Sequence, residues 1–202
     1  MGVIGVIAGL ALLAACSGQP ETPAPTSLPT QAVTPEPSTP PGGTPVLTPF
    51  PTDQLPERLS DLVTEPVLPD EASEFTTDGA AAFALYIIDA ANWAYATGDA
   101  APLLDHCSED SGFCESVRAN AGQLDEEGIV RYGGFATVEV ASVDLFSPEM
   151  DALLAGTVTV TPLIDLDEAG IVVFEYDAET HQVNFHVTHS DGRWRLEAVA
   201  SQ

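Results

Sequence analysis

FTTDGAAAFALYIIDAANWAYATGDAAPLLDHCSEDSGFC, Phe75 to Cys114, is the stretch on which the fold of this chain turns. Thr76, Thr77 and Asp78 offer N-cap side chains, so the pattern predicts a helix beginning near Gly79. Phe83, Ile87, Ala90, Ala91 and Ala94 recur at helical spacing and form one apolar stripe. Tyr86, Asp89, Trp93 and Thr97 form a neighbouring stripe. Gly98 is placed to close the helix in the left-handed conformation, and Asp99 to cap the next one. With Pro102 in its first turn, residues 100–106 read as a short helix. A third helix runs from Cys114 or Glu115 through Gln123 and ends by Gly128.

Beyond Gly128 the apolar period changes from 3.6 to 2. Residues 129–147 read as one long strand with a bulge or bend at Gly133-Gly134. Residues 153–164 form a second strand, 171–176 and 182–188 a hairpin around Asp177–Thr180, and 193–200 the last strand. A tight Ser190-Asp191-Gly192 turn precedes that last strand. The class is therefore α+β: a long helix and short helices packed on an antiparallel sheet, because an apolar helical stripe needs an apolar face to cover it.

Upstream the chain has a different character. Residues 3–15 are apolar and stop at Leu13-Ala14-Ala15-Cys16. The run is too short to span a bilayer, which needs about 20 residues, and has the length of a signal-peptide core. L-A-A-C resembles the bacterial lipobox, in which the cysteine carries a diacylglycerol anchor. Met1-Gly2 lacks the basic residue expected before such a core. Residues 17–69 are rich in Pro, Thr and Ser and read as a disordered tether, which leaves 70–202 for the folded domain. At ~3.1 Å per residue, about 40 residues of extended chain reach on the order of 100 Å.

Charge excludes some partners. Against 31 Asp and Glu stand five cations, all Arg, for a net charge of -26. Such a field repels nucleic acid, whose binding needs cationic side chains to displace counterions. It equally disfavours charge-driven contact with an anionic membrane surface. Three cysteines are present. Lipidation accounts for Cys16, leaving Cys107 and Cys114 to pair in an oxidising compartment. His106 beside Cys107 raises the question of zinc, but the spacing lacks a second ligand pair. No metal and no cofactor is expected.

T-x-x-G-A-x-A-F (Thr76–Phe83), W-A-Y-A-T-G-D-x-x-P-L (Trp93–Leu103) and the pair Cys107 and Cys114 resemble a family of actinobacterial lipoproteins known only as a domain of unknown function. The order of helices and strands, closing on G-R-W-R-L-E-A-V, is similar to nuclear transport factor 2-like domains. That second resemblance implies a cone, in which a curved sheet wraps the long helix. Neither brings a catalytic residue with it.

The cone resemblance makes Tyr86, Asp89 and Trp93 the candidate pocket residues. Facing a pocket, Asp89 would be a desolvated acid or base with Tyr86 beside it. The plainer reading is a solvent-edge carboxylate beside ordinary core aromatics. His181 and His189 lie eight residues apart on one strand face, roughly 26 Å at ~3.3 Å per residue, too far to share a metal. His186 beside a carboxylate would be a proton carrier, and otherwise an exposed histidine. Asp165-Leu166-Asp167-Glu168 lacks the spacing of a full calcium loop and reads as a solvated turn.

The expectation is a lipoprotein at the extracytoplasmic face of the cell membrane, held there through Cys16. Its domain would be a non-catalytic binding module for an envelope protein or a small apolar ligand. A small-molecule isomerase or hydrolase using Asp89 and Tyr86, and an assembly subunit of an envelope complex, are the alternatives.

Overall fold

Four helices precede seven strands among the residues described by the computed structural model, 48–147 and 150–201. The helices are α1 (Leu59–Leu62), α2 (Thr77–Thr97), α3 (Ala101–Leu104) and α4 (Gly112–Glu126). The strands are β1 (Val130–Gly133), β2 (Ala136–Phe146), β3 (Asp151–Val160), β4 (Leu163–Leu166), β5 (Val172–Tyr176), β6 (Glu179–Ser190) and β7 (Arg193–Ser201). Short 3-10 turns occupy Thr52–Gln54 and Asp70–Ser73. These elements belong to one compact unit, Pro45–Gln202. The expected leader, Cys16 and the expected tether as far as residue 47 lie outside the described residues. None of the described helices is long and apolar enough to cross a membrane.

The long helix begins and ends where its caps dictate. Thr76 Oγ1 accepts from the Gly79 N–H at 3.0 Å, satisfying one of the first-turn donors. At the other end Gly98 adopts φ 75° and its N–H donates to Ala94 O at 2.8 Å. Asp99 Oδ1 then accepts from the Ala101 N–H at 3.0 Å and starts α3. Asn92, buried within α2, is bound twice to Ala136: its amide donates to the carbonyl and its oxygen accepts from the N–H. That clamp fixes the start of β2 against the helix.

Two antiparallel sheets arise from strands that bend. The smaller has the order β1-β4-β5 and the larger β2-β3-β6-β7. Gly133 pairs with Leu163 and Ala136 with Val160, while Leu163 pairs with Tyr176 and Val160 with Glu179. Three long runs of chain, β1–β2, β3–β4 and β5–β6, therefore leave one sheet and enter the other at matching levels. Gly133 makes the first bend at φ 67°, and a Cβ there would collide with Pro162 O. Pro162 interrupts the second run, having no N–H for the ladder.

This corrects part of the strand assignment. Residues 171–176 and 182–188 are not a hairpin: β5 pairs with β4, whereas β6 pairs with β3 and β7. The Asp177-Ala178 link carries the chain onward instead of turning it back. The bend expected at Gly133-Gly134 is present, and the run expected to end at 164 continues to Leu166.

The large sheet curves over α2. Phe83, Ile87 and Ala94 of the helix share one buried cluster with Leu154, Phe185, Val187, Trp194 and Leu196 of the sheet. Burying each large apolar side chain contributes about 1.5–3 kcal/mol. These side chains fill the space between helix and sheet that the cone resemblance reserves for a pocket. Trp194 also holds the chain before α2, its Nε1–H donating to Glu74 O at 3.1 Å.

The tether does not extend to 69. Phe50 N–H donates to Gly170 O at 2.9 Å, Gly133 N–H to Glu57 O at 2.8 Å, and Leu59 is fully buried. Apolar side chains and open strand edges outweigh the proline content there, so 50–69 packs as a strap on the domain.

Candidate functional site

Tyr86, Asp89 and Trp93 do not meet in one cavity. Tyr86 is buried and its hydroxyl donates to Pro102 O at 2.8 Å, with the His106 ring edge-on at 5.1 Å. Burial, then the charge of Asp105, raises its phenol pKa, so the hydroxyl stays protonated. Trp93 is half-buried, and its Nε1 is buried with no hydrogen-bond partner among the described residues. The i, i+3, i+7 spacing put the three on one stripe, but the strap and α3 divide that stripe between separate neighbours.

Of the three, Asp89 lines a groove. The groove holds about 310 Å³ between α2 and the strap, with Leu62, Glu65, Val67, Asn92 and Phe135 among its walls. Partial burial raises the Asp89 carboxyl pKa. A carboxyl of this kind can hold or release a proton at the groove wall. Tyr86 has its own partner and does not join it.

A second groove lies at the small sheet, and of the residues singled out from sequence only Asp165 is among its lining. It holds about 450 Å³ and is lined by Tyr95, Glu127, Arg131, Asp165, Val173 and Phe174, among others. Its floor is an ion pair: Arg131 Nε and Nη2 donate to the two carboxylate oxygens of Asp165 at 2.8 and 2.7 Å. Asp165 is 2% exposed, and the guanidinium lies 5.1 Å from the centre of the Tyr95 ring. Asp165 is thus a buried partner and not part of a solvated turn.

Beside this floor, β5 is the exposed edge of its sheet. Val173, Phe174 and Tyr176 are 49%, 51% and 37% exposed, and Phe174 stacks on Tyr176 with ring centres 6.3 Å apart. Among the described residues no strand pairs with the other edge of β5. The opposite edge, β1, is covered by the strap through the Arg58–Tyr132 bridge. The run V-V-F-E-Y reads as a strand in sequence. Nothing local in it tells which edge stays open.

The remaining candidates have structural partners. A disulfide joins Cys107 to Cys114 with Cα atoms 6.4 Å apart, tying the end of α3 to α4. Cys107 also bridges to Leu196 of β7. Asp167 Oδ1 accepts from the N–H groups of Ala169 and Ile171 and closes the β4–β5 turn. His186 Nε2 stands 3.5 Å from Asp151 Oδ2 of the neighbouring strand, His181 pairs with Glu179, and His189 Nε2–H donates to Ser73 O. No group of three or more His, Cys, Asp or Glu with metal-binding geometry occurs among the described residues.

Curved antiparallel sheets wrapped on one long capped helix define an α+β domain of the expected class, and the Asp89 and Arg131 grooves lie on its surface. The profile of a family of unknown function (DUF6318) matches residues 61–200, and the chain belongs to that family. No curated protein matches the chain. Among solved structures it is similar to the intermembrane space region of the chloroplast protein ARC6, at 16% identity and a TM-score of 0.45, over 59% of this chain and 93% of that one. It is also similar to a variant of the NTF2-type protein Rd1NTF2_05, at 12% identity and a TM-score of 0.39, over 61% and 99%. A third, Aln2 from a Streptomyces species, has 12% identity and a TM-score of 0.35 over 69% and 93%.

Proposed function

We propose that this chain is a membrane-anchored lipoprotein of an actinobacterial cell envelope, whose domain is a non-catalytic module for binding another envelope protein. The observation that carries the binding reading is where the apolar surface lies. Phe83, Ile87, Leu154, Phe185 and Trp194 fill the space under the sheet, while Val173, Phe174 and Tyr176 stand exposed on an open strand. Large exposed apolar side chains gathered at one place favour an interaction site. The anchoring reading rests on Leu13-Ala14-Ala15-Cys16 after an apolar run. A diacylated cysteine supplies two chains at one site, enough for stable retention.

Two measurements test the reading. Cys16→Ser should move the protein from the membrane fraction to the soluble one, and retention would exclude the anchor. Crosslinking of the full chain in its host envelope should trap one discrete, saturable protein partner. A ladder of unrelated adducts, or none, would remove the binding module.

Asp89 favours a second reading, a small-molecule isomerase or hydrolase, because its carboxyl pKa is raised at a groove wall. Under it Asp89→Asn abolishes turnover and leaves the fold intact. Turnover that survives the change would exclude Asp89 chemistry.

A further inference from the structure

Two facts about β5 belong together: its outer edge has no partner strand among the described residues, and the charge around it has one sign. Arg131 is the cation of the groove, and Asp165 neutralises it. Glu127 lines the groove, and Glu168 stands beside Gly128, between the groove-lining Glu127 and Ile129, its carboxylate 3.1 Å from where a Cβ on Gly128 would lie. Glu175 alternates with Phe174 and Tyr176 along the strand and so points to the other face. None of these three glutamates takes part in an ion pair among the described residues.

We propose that β5 accepts an extended, Arg- or Lys-bearing segment of another protein as an added strand. This rests on the reading of the domain as a binding module and names its site and its partner's chemistry. Main-chain hydrogen bonds to the open edge supply affinity, and alternate side chains of the guest supply selectivity. Apolar residues on one face of the guest pack over Phe174 and over Val173, which the bulge opposite Asp165 and Leu166 turns into the same groove. Cationic residues reach Glu127 and Glu168 on that side and Glu175 on the other. The paired rings of Phe174 and Tyr176 also present faces that attract a guanidinium. A second copy of this chain fits poorly, because two bodies of net charge -26 would be brought edge to edge.

The test uses the purified, isotope-labelled full chain in mild detergent and two short synthetic peptides, one alternating Arg and Val, the other Glu and Val. The Arg peptide should shift the amide resonances of 172–176 and of the groove residues, saturably, and weaken as salt is raised. The Glu peptide should shift nothing. Phe174→Ala, at a half-exposed site, should weaken the Arg peptide about tenfold, the equivalent of about 1.4 kcal/mol. Shifts spread over the whole acidic surface, shifts centred on the Asp89 groove, equal binding of the Glu peptide, or indifference to Phe174→Ala would each overturn the proposal. Concentration-dependent self-association abolished by Phe174→Ala would overturn it in favour of a second copy. An envelope crosslink that survives Phe174→Ala would sink this inference and leave the binding module standing.

Discussion

Arg131 and Asp165 sit opposite each other in the register of β1 and β4 and form a two-pronged ion pair. The pair is 34 residues apart in sequence and lies under the Tyr95 ring, so it joins the small sheet to α2. Two parallel N–H to oxygen bonds fix both side chains more firmly than a single contact would.

Removing one member should be costly. Arg131→Met leaves a buried carboxylate unpaired and should destabilise by about 3–5 kcal/mol in urea unfolding. Combining it with Asp165→Leu should recover most of that loss, because no uncompensated charge remains. If the double variant is no more stable than Arg131→Met, the unpaired carboxylate is not what makes the single change expensive.

Two glycines should respond in opposite directions. Gly133→Ala drives a Cβ into Pro162 O at a positive φ, and should cost about 2–4 kcal/mol. Gly122 sits within α4 with nothing near its missing Cβ, so Gly122→Ala should stabilise by about 0.5–1 kcal/mol. Thermal unfolding of the two variants beside the parent reads both signs. Equal effects would mean that the strand bend does not depend on Gly133.

The disulfide between Cys107 and Cys114 closes a short loop, with a sequence separation of 7. On the chain-entropy model such a loop stabilises by about 2–3 kcal/mol. Reductant, or Cys107→Ser with Cys114→Ser, should lower the urea midpoint by that equivalent. A midpoint indifferent to reductant would show that the bond adds nothing to stability.

Acid and base should act on two residues with opposite signs. Burial raises the Asp89 carboxyl pKa, so the folded chain keeps a proton that the unfolded chain releases. Stability is lost as pH rises from the ordinary carboxylate value through the raised one. Asp89→Asn should then stabilise at neutral pH and change little below the ordinary value. Because Asp89 is exposed, the gain should stay below about 1 kcal/mol. For His106, burial lowers the pKa most, against a hydrogen bond to the Trp194 backbone and the charge of Asp105, while Arg193 and Arg195 lower it further. Its contribution is lost as pH falls from the ordinary imidazole value to the lowered one. Unfolding of His106→Gln across that window should lack this slope, and the same slope in both proteins would assign it to another group.

The helices and bends were legible in sequence because each depends on a few neighbouring residues. Thr76 and Gly98 cap what they were expected to cap, Asp99 sits one residue before the N-cap Ala100 of α3 and accepts from the Ala101 N–H, and Gly133-Gly134 bends the chain as a pair of left-handed glycines does. The period of two in 129–200 marked strands correctly as strands. Pairing was another matter. Val172–Tyr176 and Glu179–Ser190 are alike in pattern and close in sequence, which suggests a hairpin, yet they continue one another through the bend. Strand pairing is decided by which apolar faces cover α2 once every strand is present, and no local preference encodes that.

The same division separates the candidate residues. Tyr86, Asp89 and Trp93 could be placed on one helical stripe from spacing alone, since helical geometry sets their directions. What each would touch depended on the strap and on α3, which are held by contacts as distant as Glu57 to Gly133 and Trp194 to Glu74. By itself the sequence determined the acidity, the cysteine pairing, the long capped helix and the α+β class, all set by composition or by short-range backbone preference. Only the tertiary structure decided that the space under the sheet is filled, that Arg131 meets Asp165, and that β5 keeps an open edge. Each of those is a choice among long-range partners, made by packing the whole chain at once.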